Sequence, residues 1–433
     1  MSPGAVLILM AMLFLGFGYM GVPVSFALMA GVFVATAFTP ISLQSMVGQL
    51  FHGIDAETLL AVPFFLLVGE LMASSDVVQR MIRLSQTLVG HLRGGLAQVV
   101  TLFSMFFAGI SGSSTADVAI LARTVAPEMT KEGYDKAFSA SLIASASTMA
   151  NLIPPSIMAV VYGATGNVSI GGLFLGGIVP GILIGLGLMI VIRIYSLNIA
   201  FPELRRTTGR FDARRVGVAA VKVWPALLAP VLVLGGILSG AFTATEAGVV
   251  ACFYGFIVGF FIYRILKLRD LPRIFVRAGV VTAMVSGIIG VAGALGWLLS
   301  YLNFNDIVLT MIHGVTTSKL GAMLTLMAIM LVLTMFVDSM AILIITIPVA
   351  VVLGRSYGID EFQLGLMMVM ATQIGSTTPP VAVLLFVATS IAGCTYSETI
   401  RYCWAFILAE VAVLLLVVLW PDVAAWVPHH FLG

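Results

Sequence analysis

Long apolar runs separated by short polar stretches set the pattern of this chain. Ten runs, near residues 4–20, 22–38, 58–74, 135–163, 171–197, 221–240, 244–265, 279–300, 361–391 and 400–420, read as membrane-crossing helices. About 20 apolar residues suffice to span the roughly 30 Å hydrocarbon layer. Two further stretches, 95–127 and 319–354, are too long for one crossing, and each is interrupted in its middle. The first interruption is Gly109-Ile110-Ser111-Gly112-Ser113-Ser114-Thr115-Ala116-Asp117, the second Phe336-Val337-Asp338-Ser339-Met340. Non-helical backbone at membrane depth persists only where protein or water satisfies its polar groups. Both stretches are therefore expected to be re-entrant hairpins with polar tips. Segment 74–95 spaces Val77, Val78, Met81, Ile82, Leu84 and Leu88 among Asp76, Arg80, Arg83 and His91. That is the pattern of an amphipathic helix lying in the interface.

Composition narrows the class. Hydrophobic residues make up 60% of the chain and charged residues 9%, where a soluble domain carries about a quarter charged. So few charges cannot cover a water-facing surface, and a net charge of +2 offers little to nucleic acid. Cys252, Cys394 and Cys403 form neither a CxxC nor a metal-ligand spacing, and read as small apolar residues. Met1-Ser2-Pro3-Gly4 has no basic region and no small-residue cleavage site, so the first span is expected to be retained.

The basic residues test the layout. With the loop of Arg205, Arg206, Arg210, Arg214 and Arg215 placed in the cytoplasm, counting crossings outward brings the other basic clusters to the same side. These are Arg80, Arg83, Arg93, Lys131 and Lys136, then Arg264, Lys267, Arg269, Arg273, Arg277 and Arg401; only Lys319 and Arg355 fall outside. This asymmetry is the positive-inside rule, and it places both termini on the outer face.

An internal repeat follows from the paired prolines. Pro154-Pro155 and Pro379-Pro380 are 225 positions apart, and the same shift carries Gly133 onto Gly358, Asp135 onto Asp360, Asn151 onto Ser376 and Ser113-Ser114 onto Asp338-Ser339. Five crossings separate the two hairpins, so they enter from opposite faces and the halves are inverted. The first repeat is expected over 1–217, with scaffold helices in 1–57, an arm at 74–94, a hairpin at 95–127 and a broken helix at 135–163. The second is expected over 218–433, with scaffold helices in 218–265, an arm at 301–318, a hairpin at 319–354 and a broken helix at 361–391.

Candidate chemistry gathers in four polar clusters, two per half. Two are the hairpin tips. The others interrupt long helices: Ser145-Ala146-Ser147-Thr148-Met149-Ala150-Asn151-Leu152-Ile153-Pro154-Pro155-Ser156, and Thr372-Gln373-Ile374-Gly375-Ser376-Thr377-Thr378-Pro379-Pro380. Proline removes a backbone donor and frees the carbonyls of the preceding turn, while Ser and Thr add hydroxyl oxygens. Uncharged oxygens near the midplane suit a hard monovalent cation such as Na⁺ and offer no His or Cys to a transition metal. Half-helices restarting after a break aim their positive ends inward, where an anionic group can bind. Asp338 is read as ion ligand or tip-fixing acceptor. Asp117 serves either the ion or the cap of the half-helix after its tip. Glu70 is expected to anchor a neighbouring helix or partner subunit, and Glu246 and Glu410 to make structural hydrogen bonds. The tail His429-His430 reads as solvated. Gly109-Ile110-Ser111-Gly112 mimics the GxSG motif of rhomboid proteases, but all five histidines fall in loops or interfaces, leaving that serine without a base.

Several of these stretches together resemble the large membrane subunit of TRAP (tripartite ATP-independent periplasmic) transporters. They are Leu60-Ala61-Val62-Pro63-Phe64-Phe65-Leu66-Leu67-Val68-Gly69-Glu70-Leu71-Met72, the tip at 109–117, Leu152-Ile153-Pro154-Pro155-Ser156 and the segment 373–380. The likeness covers essentially the whole chain. It implies an all-α polytopic elevator transporter of the bacterial inner membrane, not an enzyme. Such a subunit works with a small four-helix membrane subunit and a periplasmic substrate-binding protein, and is driven by Na⁺ with no other cofactor. It imports organic acids such as C4-dicarboxylates or sialic acids. The resemblance further implies one Na⁺ site from Ser111, Gly112, Ser113, Ser114 and Thr115 with Asn151 and Ile153. The other would take Asp338, Ser339 and Met340 with Gly375, Ser376, Thr377 and Thr378. Substrate would lie between, against Ser113, Ser114, Asn151, Pro154, Pro155, Ser339, Thr378, Pro379 and Pro380. The tip reads Ser-Gly-Ser-Ser-Thr where many relatives have Ser-Gly-Ser and a small apolar residue, which leaves open which hydroxyls coordinate. The first span begins directly at the N-terminus, so a separate small subunit is expected. The alternatives are a stand-alone divalent-anion/sodium symporter with the same plan, and a non-transporting scaffold or intramembrane enzyme.

Overall fold

The computed structural model describes residues 2–197, 204, 207 and 211–432, with Asn305 described by its backbone alone. Arg205, Arg206 and Arg210 of the basic loop lie outside the described residues. The first half runs through α1 (Pro3–Tyr19), α2 (Val24–Thr36), α3 (Leu43–Ile54), α4 (Ala61–Ser74), α5 (Val77–Val89), α6 (Gly95–Ser111), α7 (Ser114–Thr124), α8 (Ala126–Lys131), α9 (Lys136–Ser147), α10 (Ile157–Gly166) and α11 (Ile170–Tyr195). The second runs through α12 (Ala213–Leu238), α13 (Ala244–Phe256), α14 (Leu271–Tyr301), α15 (Phe304–Val315), α16 (Lys319–Thr334), α17 (Ser339–Ser356), α18 (Glu361–Gly375), α19 (Val383–Ala392), α20 (Tyr396–Leu419) and α21 (Asp422–Leu432).

Each of the ten expected spans coincides with a helix or a pair of half-helices. Among the described residues, six helices at the expected spans are individually long and apolar enough to cross a membrane, as is α17 of the second hairpin. The rest are the shorter α1 and α2, of 17 and 13 residues, and the interrupted pairs α9–α10 and α18–α19. Both long stretches fold as hairpins, α6–α7 turning at Gly112 and Ser113, α16–α17 at residues 335–338. Large apolar side chains left uncovered recur every four residues on α11, at Ile182, Leu186, Ile190 and Ile194, the face a helix turns to lipid.

The repeat register holds at the level of element ends. Shifted by 225, the first residue of α7 (Ser114) meets that of α17 (Ser339), and that of α9 (Lys136) meets that of α18 (Glu361). Asp135 and Asp360 N-cap these helices through their side chains. Gly133 and Gly358 both take positive φ, and both Pro-Pro bonds are cis. Past the prolines the shift becomes 226: α10 and α19 start at Ile157 and Val383, and the left-handed caps that end them are Asn167 and Gly393. The extra residue falls between Pro380 and α19, where Ala382 adopts φ +47°.

Three features depart from the sequence reading. Helix α3 is not among the expected elements; it packs along α14, where a Cβ on Gly53 would stand 3.1 Å from Gly293 Cα, the close approach that small residues permit. Its counterpart in the second half is not a separate helix, because α14 runs unbroken through the position of the α3–α4 bend. The arm α5 is amphipathic as expected, yet its apolar side (Val77, Val78, Met81, Ile82 and Leu84) is buried against α6 and α12, so protein takes the place of lipid. The tail forms α21, docked on α11 and α18; His429 and His430 are exposed, as read, and His429 Nε2 also lies 2.6 Å from Asp360 Oδ2.

Buried apolar side chains form two principal cores. The larger joins the hairpins, broken helices, α11 and α20 to α4, α5, α12 and α13; a separate one joins α1, α2 and α3 to the C-terminal half of α14 through Val6, Leu28, Val32, Met46, Leu295 and Leu298.

Candidate functional site

Each hairpin tip is tied to the helix break of its own half. Gly112 takes φ +61°, and a Cβ there would lie 2.6 Å from the carbonyl oxygen of Pro155. Only glycine lets the tip turn this close to the first break. The Ile157 amide donates to Gly112 O at 3.4 Å, and in the second half the Val381 amide donates to Met335 O at 3.3 Å. In both halves the backbone just after the prolines thus holds the hairpin turn. In the first break α9 tightens into the 3₁₀ turn Thr148–Asn151 before the prolines. In the second, α18 stops at Gly375, where a Cβ would strike the Thr334 hydroxyl of α16.

The two halves meet through one hydrogen-bond network. Ser114 Oγ donates to Gln373 Oε1 at 2.5 Å, Asn151 Nδ2 reaches Ser114 Oγ at 2.7 Å and Gln373 Oε1 at 3.0 Å, and Gln373 Nε2 extends to Ser339 Oγ at 3.4 Å and to the Met158 sulfur at 3.0 Å. First tip, first break, second break and second tip are joined by uncharged side chains. Ser114, Asn151 and Gln373 are buried, and Asn151 Oδ1 has no partner among the described residues. A buried acceptor without a donor costs about 1–3 kcal/mol, so an acceptor left free here is available to a cation.

Other expected residues divide between the faces of the tips. Ser113 Oγ lies 3.2 Å from Thr115 Oγ1, and both line a cavity of about 280 Å³ with Ser111 and Glu70, whereas Ser114 bonds to Gln373. Glu70 faces Arg277 of α14 at 3.8 Å. Asp338 N-caps α17: its Oδ2 accepts from the amides of Met340 and Ala341 at 3.0 and 3.1 Å, and its Oδ1 makes no hydrogen bond among the described residues. Asp117 is buried beside Ser111 but does not cap α7, whose N-cap position belongs to Ser113 and whose first turn has no side-chain cap. The hydroxyls of Ser376, Thr377 and Thr378 bond back to carbonyls of their own turn, leaving the oxygens of each as acceptors. Ile153 packs on Gly181 of α11. Pro154 and Pro155 are buried, Thr378 and Pro379 half-buried and Pro380 exposed.

Sequence reasoning passed over Gln373 as a site residue and gave Glu410 a structural hydrogen bond without naming its partner. Gln373 sits at the position equivalent to Thr148, in a half-helix that also buries Gln363 and Thr372, so composition alone does not single it out. Glu410 is fully buried in α20 and accepts from Thr148 Oγ1 at 2.9 Å, while Glu246 closes a capping box with Thr243.

Hairpins, broken helices and their inverted repetition define a polytopic helical membrane protein of the two-repeat kind. The chain matches two solved transporters of this architecture, YdaH of Alcanivorax borkumensis (TM-score 0.60, 14% identity, 89% of this chain and 88% of that one) and MtrF of Neisseria gonorrhoeae (TM-score 0.59, 12% identity, 87% and 83%). At these identities the likeness is one of fold. The tripartite ATP-independent periplasmic transporter DctM component family matches residues 7–423. The C4-dicarboxylate TRAP transporter large permease protein DctM of Pseudomonas aeruginosa is 36% identical over 401 residues, covering 93% of each chain. The sialic acid TRAP transporter large permease protein SiaM of Vibrio cholerae is 31% identical over 423 residues, covering 97% of each. The chain belongs to the DctM family, the large permease subunits of TRAP transporters.

Proposed function

We propose that this subunit imports an organic acid across the inner membrane in symport with Na⁺, by elevator movement, together with a small membrane subunit and a periplasmic binding protein. The observation that carries the reading is the network Ser114–Asn151–Gln373–Ser339, which joins both tips and both breaks without a charged side chain. The two Na⁺ sites lie at its ends: Ser111, Gly112, Ser113, Ser114 and Thr115 with Asn151 and Ile153, and Asp338, Ser339 and Met340 with Gly375, Ser376, Thr377 and Thr378. The amides at the start of α7 carry no side-chain cap, whereas Asp338 already occupies those of α17. An anionic substrate group between the tips is therefore drawn to the α7 end. The moving body comprises the hairpins, the broken helices, α11 and α20; the frame comprises α1–α4 and α12–α14. The basic loops face the cytoplasm and both termini the periplasm.

The test uses the subunit with its membrane partner in proteoliposomes, with the binding protein loaded with organic acid outside. An inward Na⁺ gradient is expected to drive accumulation and a proton gradient alone to give none. Accumulation in Na⁺-free buffer under a pH gradient alone would overturn Na⁺ coupling.

A further inference from the structure

Glu410 stands in the middle of α20, in neither a hairpin nor a break, and touches both breaks. Its Oε1 accepts from Thr148 Oγ1 at 2.9 Å, and the Thr377 side chain approaches the same carboxyl. Thr148 opens the turn that carries Asn151; Thr377 lies four residues after Gln373. The contacts thus close a ring: Glu410 to the first break, Asn151 to Gln373 at 3.0 Å, and the second break back to Glu410.

The hydrogen bonds around it show what the carboxyl does there. Thr148 Oγ1 is also 2.7 Å from Ser145 O, and Thr377 Oγ1 donates to Ile374 O at 2.8 Å, which leaves Glu410 Oε2 without a donor. Both carbonyls also accept backbone amides, so neither needs the hydroxyl proton, and an oxygen acceptor on the α20 side, from a carboxyl or an amide, gives the two hydroxyls a shared partner. No Lys, Arg or His pairs with Glu410 among the described residues. A polar group this deeply buried is held by its hydrogen bonds or not at all.

We propose that Glu410 is a positioning residue that fixes the two breaks relative to each other, so that the two Na⁺ sites fill cooperatively. This rests on the function proposed above. It goes further in assigning the link between the sites to a residue that ligates neither.

The experiment is the Na⁺ dependence of uptake by the complete reconstituted system. The wild type is expected to give a sigmoid Na⁺ curve. Glu410→Leu should raise half-saturating Na⁺ about tenfold and flatten the curve to a simple hyperbola, a loss within the usual range of coupling between sites. Glu410→Gln keeps an acceptor and a donor in place and should stay within about twofold of the wild type. Thr148→Val should shift the curve as Glu410→Leu does, and Thr148→Val added to Glu410→Leu should worsen it no further, as expected of residues acting as one unit. Wild-type uptake indifferent to Na⁺ would overturn the proposed function and this inference with it. A sodium-dependent wild type whose curve is shared by Glu410→Leu overturns the inference alone. So does a Glu410→Gln as impaired as Glu410→Leu. If Glu410→Leu does not assemble, the near-isosteric Thr148→Val decides, and an unchanged Na⁺ curve overturns the inference.

Discussion

Gln373 is the residue on which the most contacts converge: its Oε1 takes protons from Ser114 and Asn151 of the opposite repeat, and its amide reaches Ser339 and Met158. Gln373→Leu would strand two buried donors, at about 1–3 kcal/mol each. Because that loss falls within the site, uptake is expected to drop at least about tenfold, the equivalent of roughly 1.4 kcal/mol, while the protein still inserts and purifies. A well-folded Gln373→Leu with wild-type uptake would show the network to be ornamental. The sequence presents Gln373 inside a polar stretch beside several hydroxyl side chains, and nothing local distinguishes it. Its partners lie 259 and 222 positions away.

At the scale of elements, tips and breaks depend on backbone approach more than on side chains. Gly112→Ala would force a Cβ onto a left-handed residue and against Pro155 O at 2.6 Å, at a cost on the order of 1–3 kcal/mol. The expected outcome is lost uptake and a lower melting temperature in detergent. Gly48 is the control: it lies inside α3, and a Cβ there would meet no atom within 4 Å. Gly48→Ala should stabilise by roughly 0.5–1 kcal/mol, as alanine does in a helix, and spare transport. Equal effects of the two substitutions would show that close approach at the tip is unimportant. These elements were legible in advance because lipid forbids unsatisfied backbone, so a Pro-Pro or Ser-Gly-Ser within an apolar run has few readings. Helix α3 was less legible. Its polar positions Gln44, Ser45, Gln49 and His52 shorten the apolar run below a crossing, and its partner surface belongs to α14.

For the whole molecule, the decisive question is which parts move together. Gly296 of α14 faces Pro348 of α17 with a Cβ separation of 3.8 Å, across the proposed boundary between frame and moving body. Gly187 of α11 faces Ala409 of α20 at 3.5 Å, within the moving body. Both separations lie in the range a disulfide spans. In a background without Cys252, Cys394 and Cys403, oxidising the pair Gly296→Cys and Pro348→Cys should stop uptake, and reductant should restore it. The pair Gly187→Cys and Ala409→Cys should cross-link and leave uptake intact. Undiminished transport across a complete Gly296–Pro348 cross-link would end the elevator reading.

The chain alone determined the membrane setting, the order of spans, hairpins and breaks, and the 225-residue register, because a hydrocarbon solvent turns each polar interruption into a signal readable within a dozen residues. Tertiary structure alone decided how the pieces close: the shift to 226 past the prolines, absorbed at Ala382; the docking of α21 through His429 and Asp360; and the meeting of Asn151, Gln373 and Glu410. Those outcomes turn on distances between segments hundreds of residues apart. Hydrophobic pattern constrains which face of a helix is covered, but not which side chain arrives to cover it.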